Sequence, residues 1–180
     1  MPIEMLYAAQ KGDADAQDRL MHLLYQPVYH FVFKRTGNSE VAIDLCQNVF
    51  LKCFQALDSY DARLGSVRTW VFRIARNTLY DHYRRHAVER FDEQHEEIAD
   101  ARADTAHRTE ARLMEEYVAR LLSMLPDVEA DVVTLKAIHE MTYEEVARII
   151  GKSEVATRKI YSRALGRLRE HTLRRQRDEI

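Results

Sequence analysis

Between Ser66 and Arg85 the chain reads SVRTWVFRIARNTLYDHYRR, a stretch that holds the single tryptophan. At helical spacing Arg73, Asn77, Tyr80 and Arg84 recur at i, i+4, i+7 and i+11 and form one stripe, while Val71, Ile74, Ala75, Thr78 and His82 form the adjoining flank. Guanidinium groups neutralise phosphates and aromatic faces stack on unpaired bases, so the stripe suits a nucleic-acid strand. An ordinary amphipathic helix with a solvated polar face carries the same residue types, and both readings stand on this segment alone.

A second segment, TYEEVARIIGKSEVATRKIYSRALGRLR, is organised around its punctuation. Thr142 followed by Glu145 fits a capping box, Gly151 fits a helix stop, and Ser153 fits the cap of a further helix. A short helix, a tight turn and a longer basic helix make the spacing of a helix-turn-helix. Val146, Ala147 and Ile150 are then expected to pack against Val155 and Ile160. Glu154, Ala156, Thr157, Arg158, Tyr161 and Ser162 are expected at or near a DNA major groove, with Lys159, Arg163 and Arg167 reaching phosphates. A helical hairpin with a solvated basic face is the alternative.

Other chemistry finds less support. His82 and His86 are four apart, as metal ligands are on a helix, but Tyr83 stands where a zinc protease needs glutamate. Asp92, Glu93, His95 and Glu96 could bind a cation, and a solvated acidic segment explains them equally. No phosphate-cradling glycine loop or nucleophile-and-base pair is visible, so the expectation is a protein that is not an enzyme and uses no metal or cofactor. Cys46 and Cys53, the two cysteines, lie seven apart on one helix face and read as buried thiols, with a redox or metal role as the alternative.

The elements that must position these residues are all helices. The 180 residues include five glycines and three prolines, and no run alternates apolar and polar residues between turn signals. The expected helices are Ile3 to Gln10; Ala14 to Arg35, with Leu20, Leu23, Leu24, Val28, Phe31 and Val32 inward; and Ser39 to about Leu57. In the last of these, Ala42, Leu45, Val49, Cys53, Phe54 and Leu57 face inward, and Asp44, Gln47, Asn48 and Lys52 face outward. A polar loop, DSYDARLGS, precedes the arginine-striped helix. Leu113, Val118, Leu121, Leu122 and Leu125 then mark a helix ended by Pro126, and the next runs from Val128 to His139.

These segments predict an all-α fold of two small helical domains, residues 1–86 and 113–180, joined by a flexible acidic linker over 87–112. Net charge is −2, yet Glu89 to Glu116 holds ten acidic and four basic residues, whereas Gly151 to Arg177 holds nine basic and two acidic. A basic C-terminal segment is consistent with anion binding, and equally with a solvated tail. No apolar run spans a membrane and the N-terminus lacks the order of a secretion signal, so a soluble cytoplasmic protein without membrane insertion is expected.

Taken together, DLCQNVFLKCFQALDSYD, SVRTWVFRIARNTLYDHYRR, LLSMLPDVEADVVTLKAIHEMTYEEVARIIGKSE and YSRALGRLR, in this order and spacing, resemble the bacterial sigma-70 family of sigma factors, specifically its small extracytoplasmic-function (ECF) group. The resemblance implies a transcription initiation factor that binds core RNA polymerase, directs it to promoter DNA and promotes melting at the −10 element. It implies that Asp44, Gln47, Asn48 and Phe50 meet polymerase, with Asn48 where the family usually has an acid. It implies that the Ser59 to Gly65 loop, with Tyr60 and Arg63, captures a flipped base. Arg68, Trp70, Arg73, Arg76, Asn77 and Tyr80 would hold the non-template strand, and the helix from Glu154 would read the −35 element, with Val155 and Ala156 departing from the family's commoner Gly-Thr. An anti-sigma protein is implied as a further partner. Two rivals stand beside it: a helix-turn-helix regulator that binds duplex DNA as a dimer without polymerase, and a helical interaction protein that mimics a sigma factor.

Overall fold

The computed structural model describes residues 3–92 and 110–178, all of whose elements are helical. The chain divides into two compact units, the first ending at Ala106 and the second beginning at His107.

In the first unit α1 (Ile3–Gln10), α2 (Ala14–Thr36), α3 (Ser39–Gln55) and α4 (Val67–Asp92) follow one another. Asp13 caps α2 by accepting the Ala16 N–H at 3.0 Å, and Asn38 caps α3 by accepting those of Glu40 and Val41, so donors that a first turn leaves orphaned are satisfied. The core gathers Leu20, Leu24, Val28, Phe31 and Val32 from α2, Ala42, Leu45, Cys46, Val49 and Cys53 from α3, and Val71, Phe72, Ala75 and Leu79 from α4. Phe31 meets Phe72 edge-on with centroids 5.6 Å apart. Lys52 Nζ donates to Thr78 Oγ1 at 3.1 Å, and the Tyr83 hydroxyl donates to the Arg35 carbonyl at 2.6 Å, bracing α4 against α3 and α2.

Three expectations need correction here. Leu23 is exposed, because the buried stripe of α2 steps from Leu20 to Leu24 to Val28 and leaves Leu23 to one side. Phe54 is only half-buried. The third helix stops at Gln55, and Leu57 is buried at the start of a tighter single turn, Leu57–Ser59.

The second unit comprises α5 (Glu110–Ser123), α6 (Asp127–Val133), α7 (Tyr143–Ile150) and α8 (Glu154–Asp178). Leu122 and Leu125 from the α5 end, Ala130 and Val133 from α6, and Ala164 from α8 form a buried cluster, with Val118, Tyr161 and Leu168 packed on it. Leu113 lies outside this core and is exposed. The helix expected to reach His139 widens after Val133 into one broad turn, Thr134–Ile138, closed by the His139 N–H on the Thr134 carbonyl at 3.1 Å. α4 continues through residues 87–92 and α5 begins at 110, so helix enters both ends of the segment read as linker; residues 93–109 lie outside the described residues.

The turn between α7 and α8 forms as its residue types dictate. Thr142 Oγ1 accepts the Glu145 N–H at 3.2 Å while Glu145 Oε2 accepts the Thr142 N–H at 2.8 Å, which completes the capping box. Gly151 adopts φ 68°, a left-handed conformation that costs other L-residues roughly 1–2 kcal/mol. Nothing lies within 4 Å of a Cβ built there. Gly151→Ala is therefore expected to act through backbone strain alone, lowering the stability of this unit by about 1 kcal/mol, read as faster amide hydrogen exchange in α7.

Both cysteines are free and buried, and burial pushes each thiol up to about 12. Thiolate is thus scarce at any pH below that value, and thiolate is the reactive form. At pH 8 the folded protein should leave both thiols unlabelled by a maleimide, and denaturant should expose both together; labelling in the native state would show that this core opens.

Candidate functional site

On α4 the sequence-predicted residues divide by burial. Arg73 and Asn77 are exposed, whereas Tyr80 is half-buried with the Arg76 guanidinium 4.3 Å from its ring centroid. Arg68 lies over the Phe72 ring at 5.8 Å. Trp70 is only 9% exposed and meets Tyr60 edge-on at 5.5 Å, so its ring supports the loop before α4 rather than standing in solvent. The core flank holds as expected at Val71, Ala75 and Thr78, while Ile74 and His82 are half-buried.

The loop before α4 is ordered by its own side chains. Asp61 accepts from the Arg63 N–H at 2.9 Å and is forked by the Arg63 guanidinium at 2.6 Å. These bonds hold the Asp61 carboxyl down at about 2, so the pair stays charged across the whole neutral range. The Tyr60 hydroxyl donates to the Gly65 carbonyl at 2.9 Å, and Gly65 takes φ 149° with ψ 171°, a region essentially reserved for glycine. Between this loop and α1 lies a cleft of about 400 Å³ lined by Leu6, Tyr7 and Gln10 as well as Tyr60 and Arg63. Gln10 Nε2 donates to the Leu57 carbonyl at 3.0 Å, tying α1 to the base of the loop. The α1 residues were not foreseen as part of a site, since nothing in their local pattern links them to a loop some fifty positions away.

On α3, Asp44, Gln47 and Asn48 are exposed, and the Asn48 amide donates to the Asp44 carbonyl at 3.0 Å. Phe50, expected beside them, is buried and stacks on Tyr25 at 6.0 Å. It backs the polar face instead of belonging to it.

In the second unit, Ile160 and Ala164 anchor α8 to the core. At about 100° per residue the opposite face centres on Val155, Lys159 and Ser162. Val155, expected to pack against α7, is 64% exposed and sits on this outward face. Thr157, expected at the groove, is fully buried and its hydroxyl donates to the Ser153 carbonyl at 2.9 Å. Glu154 is exposed, Ala156 and Tyr161 half-buried.

Both flanks of that face are tied down. Arg158 pairs with Glu154 at 2.6 Å and lies 4.3 Å over the Tyr143 ring, which also takes Lys136 at 5.1 Å and Tyr161 edge-on at 5.9 Å. On the other side Arg163 stands 3.0 Å from the buried Glu129, and Arg167 3.2 Å from it. Tyr143, Lys136 and Glu129 escaped the sequence reading because their role depends on contacts between helices.

The His82 and His86 rings are in edge contact at 4.2 Å, and among the described residues no group of three or more histidines, cysteines and acids is placed to hold a metal ion. Glu93, His95 and Glu96, grouped with Asp92 as a candidate cation site, lie outside the described residues. No described helix is long and apolar enough to cross a membrane.

Comparison with known proteins agrees with this division into two units. Residues 20–89 match the family model for sigma-70 region 2, and residues 115–168 match that for sigma-70 region 4, together more than half of the chain. The RNA polymerase sigma factor YlaC of Bacillus subtilis is 32% identical over 142 residues, covering 77% of this chain and 82% of its own length. The ECF RNA polymerase sigma factor SigM of the same bacterium is 29% identical over 155 residues, with 84% and 92% covered. Among solved structures, the sigma factor RpoE in complex with the anti-sigma factor NepR from Bartonella quintana shares the fold, with a TM-score of 0.70 at 22% identity over 85% of this chain and 94% of that one. The chain belongs to the sigma-70 family of RNA polymerase sigma factors, in the extracytoplasmic-function group.

Proposed function

We propose that this protein is a transcription initiation factor: it binds core RNA polymerase, directs it to promoters with two recognition elements, and promotes melting at the −10 element. It performs no reaction of its own and acts in the cytoplasm, where polymerase and DNA are. What supports the reading is the presence in one chain of two differently built exposed faces. The Arg73 and Asn77 face of α4, with the cleft beside it, suits an unpaired strand. The outward face of α8 suits a duplex major groove.

Roles follow from placement. Asp44, Gln47 and Asn48 present hydrogen-bonding groups to polymerase, with Phe50 as the packing beneath them. The cleft formed by the Tyr60 to Arg63 loop and α1 receives an extruded −10 base, and its volume of about 400 Å³ accommodates one. Arg68 and Arg76, seated on aromatic rings, neutralise phosphates of the same strand. Trp70 stiffens the loop through Tyr60. On α8, Val155, Arg158, Lys159 and Ser162 face the −35 duplex, and Glu154 and Tyr143 hold Arg158 in place.

Two modest DNA-binding modules held at fixed spacing by polymerase gain about 10²–10⁴-fold in avidity, so the free protein binds DNA weakly. An anti-sigma protein is a further partner, supported by the complex in which the similar RpoE structure was solved.

Run-off transcription with purified core polymerase and promoter fragments from the encoding genome tests the proposal: specific transcripts should depend on this protein. Tight, specific duplex binding without polymerase would instead favour a conventional regulator. Arg73→Ala and Asn77→Ala change exposed side chains and should leave stability within about 0.5 kcal/mol. They should still reduce permanganate reactivity of the −10 region severalfold while polymerase pull-down is unchanged. Trp70→Ala, by contrast, empties a buried position and should lower the thermal midpoint as well as promoter opening.

A further inference from the structure

Glu129 on α6 is 5% exposed, and its carboxylate is turned onto α8. Arg163 Nε stands 3.0 Å from Oε1 and Arg167 Nε 3.2 Å from Oε2. Both contacts are ion pairs, and Oε2 is left without a hydrogen bond. Burying a carboxylate costs several kcal/mol, and well-packed apolar residues replace buried ion pairs with little loss of stability. A buried acid with one oxygen incompletely satisfied is therefore poor evidence for a purely structural role.

The arginines it holds are built to bind something else. They lie one turn apart on the same flank of α8, about 6 Å along the helix axis. Their side chains remain 60% and 55% exposed. Each guanidinium stands with its Nε edge toward the carboxylate, and the guanidinium fork carries further donors that a ligand can use. Two cations against one anion leave a local charge of +1. The flank lies beside the outward face of Val155, Lys159 and Ser162, which places the pair at the wall of a groove rather than at its floor, where sugar-phosphate backbone runs.

We propose that Glu129 is the positioning residue of a phosphate clamp, orienting Arg163 and Arg167 so that together they grip the backbone beside the −35 element. This deepens the proposed function and rests on it. The clamp makes a prediction opposite in sign to simple electrostatics. Removing a negative charge near DNA ordinarily tightens binding. If Glu129 positions the arginines, Glu129→Gln weakens it, because the two guanidinium groups lose their common anchor and must be ordered on binding.

The test uses holoenzyme reconstituted with core polymerase, on a promoter fragment recovered by run-off transcription and on the same fragment truncated downstream of the −35 element. Glu129→Gln should weaken binding to the complete fragment about tenfold and lower the salt slope by about one, with no change on the truncated fragment. Unchanged or tighter binding would overturn the clamp.

A double-mutant cycle separates positioning from folding. In an Arg163→Gln, Arg167→Gln background, Glu129→Gln should cause no further loss of DNA binding, whereas a persistent tenfold loss would show that Glu129 acts only through the fold. Absence of any transcript with the unaltered protein would overturn the initiation reading. Normal transcription together with a silent Glu129→Gln variant would overturn the clamp alone.

Discussion

A helix that must seal a hydrophobic core and touch nucleic acid with the same few turns has its rotation about its own axis constrained from both sides. α8 shows the constraint most directly. Ile160 and Ala164 fix one side by burial, and apolar burial is non-directional, so it tolerates small rotations. The finer setting comes from directional contacts on the flanks: Arg158 over Tyr143 on α7, and Arg163 with Arg167 on Glu129 of α6. α4 is held in the same manner, with Phe72 against Phe31 in the core and Lys52 and Tyr83 bracing its sides. Base reading depends on ångström-scale placement, so under the proposed function these flanking contacts would decide which residues can reach a base.

Several of the arginines share a second property, prior pairing with carboxylates. Arg63 is forked onto Asp61, while Arg84 pairs with Asp81, Arg158 with Glu154, and Arg163 and Arg167 with Glu129. Exposed pairs contribute only about 0–1 kcal/mol each, so exchanging a carboxylate for a phosphate is nearly free at Arg158. The same pairing reduces the long-range field of the isolated protein, whose net charge is −2. Under the proposed function, weak binding alone and strong binding when polymerase supplies proximity would both follow from this compensation. Glu129 differs from the others in being buried; under the proposed clamp it would stay in place when phosphate arrives, an anchor rather than a competitor.

Periodicity and punctuation were enough to read the helix order, the capping box at Thr142 and the left-handed stop at Gly151, because these signals are local in the chain. The exposed polar face of α3 was legible for the same reason. Misplaced residues sat at the edges of helical stripes. Leu23, Leu113 and Val155 are apolar and fit a core pattern within the width of one residue step, yet each falls on the solvent side of its helix. Thr157 and Phe50 failed in the opposite sense, being drawn inward by a hydroxyl bond to Ser153 and by stacking on Tyr25. Glu129, Tyr143 and the α1 lining of the cleft were illegible because their meaning lies in contacts between elements, and a single sequence carries no record of those.

Trp70 and Tyr60 show how a buried aromatic serves a surface site. The loop they support has few apolar anchors of its own: Arg63 and Leu64 point outward, and only Leu57 is buried at its start. Its shape therefore rests on three short-range devices, the Asp61 and Arg63 fork, the Tyr60 bond to the Gly65 carbonyl, and the edge contact of Tyr60 with Trp70. Each closes a ring of few residues, so together they preorganise the cleft at little entropic cost per contact. Under the proposed function a base entering it would meet a formed wall and would not have to order the loop as it binds. In the proposed role, selectivity would reside in the loop residues that line the cleft and in Tyr7 opposite, an exposed side chain on α1.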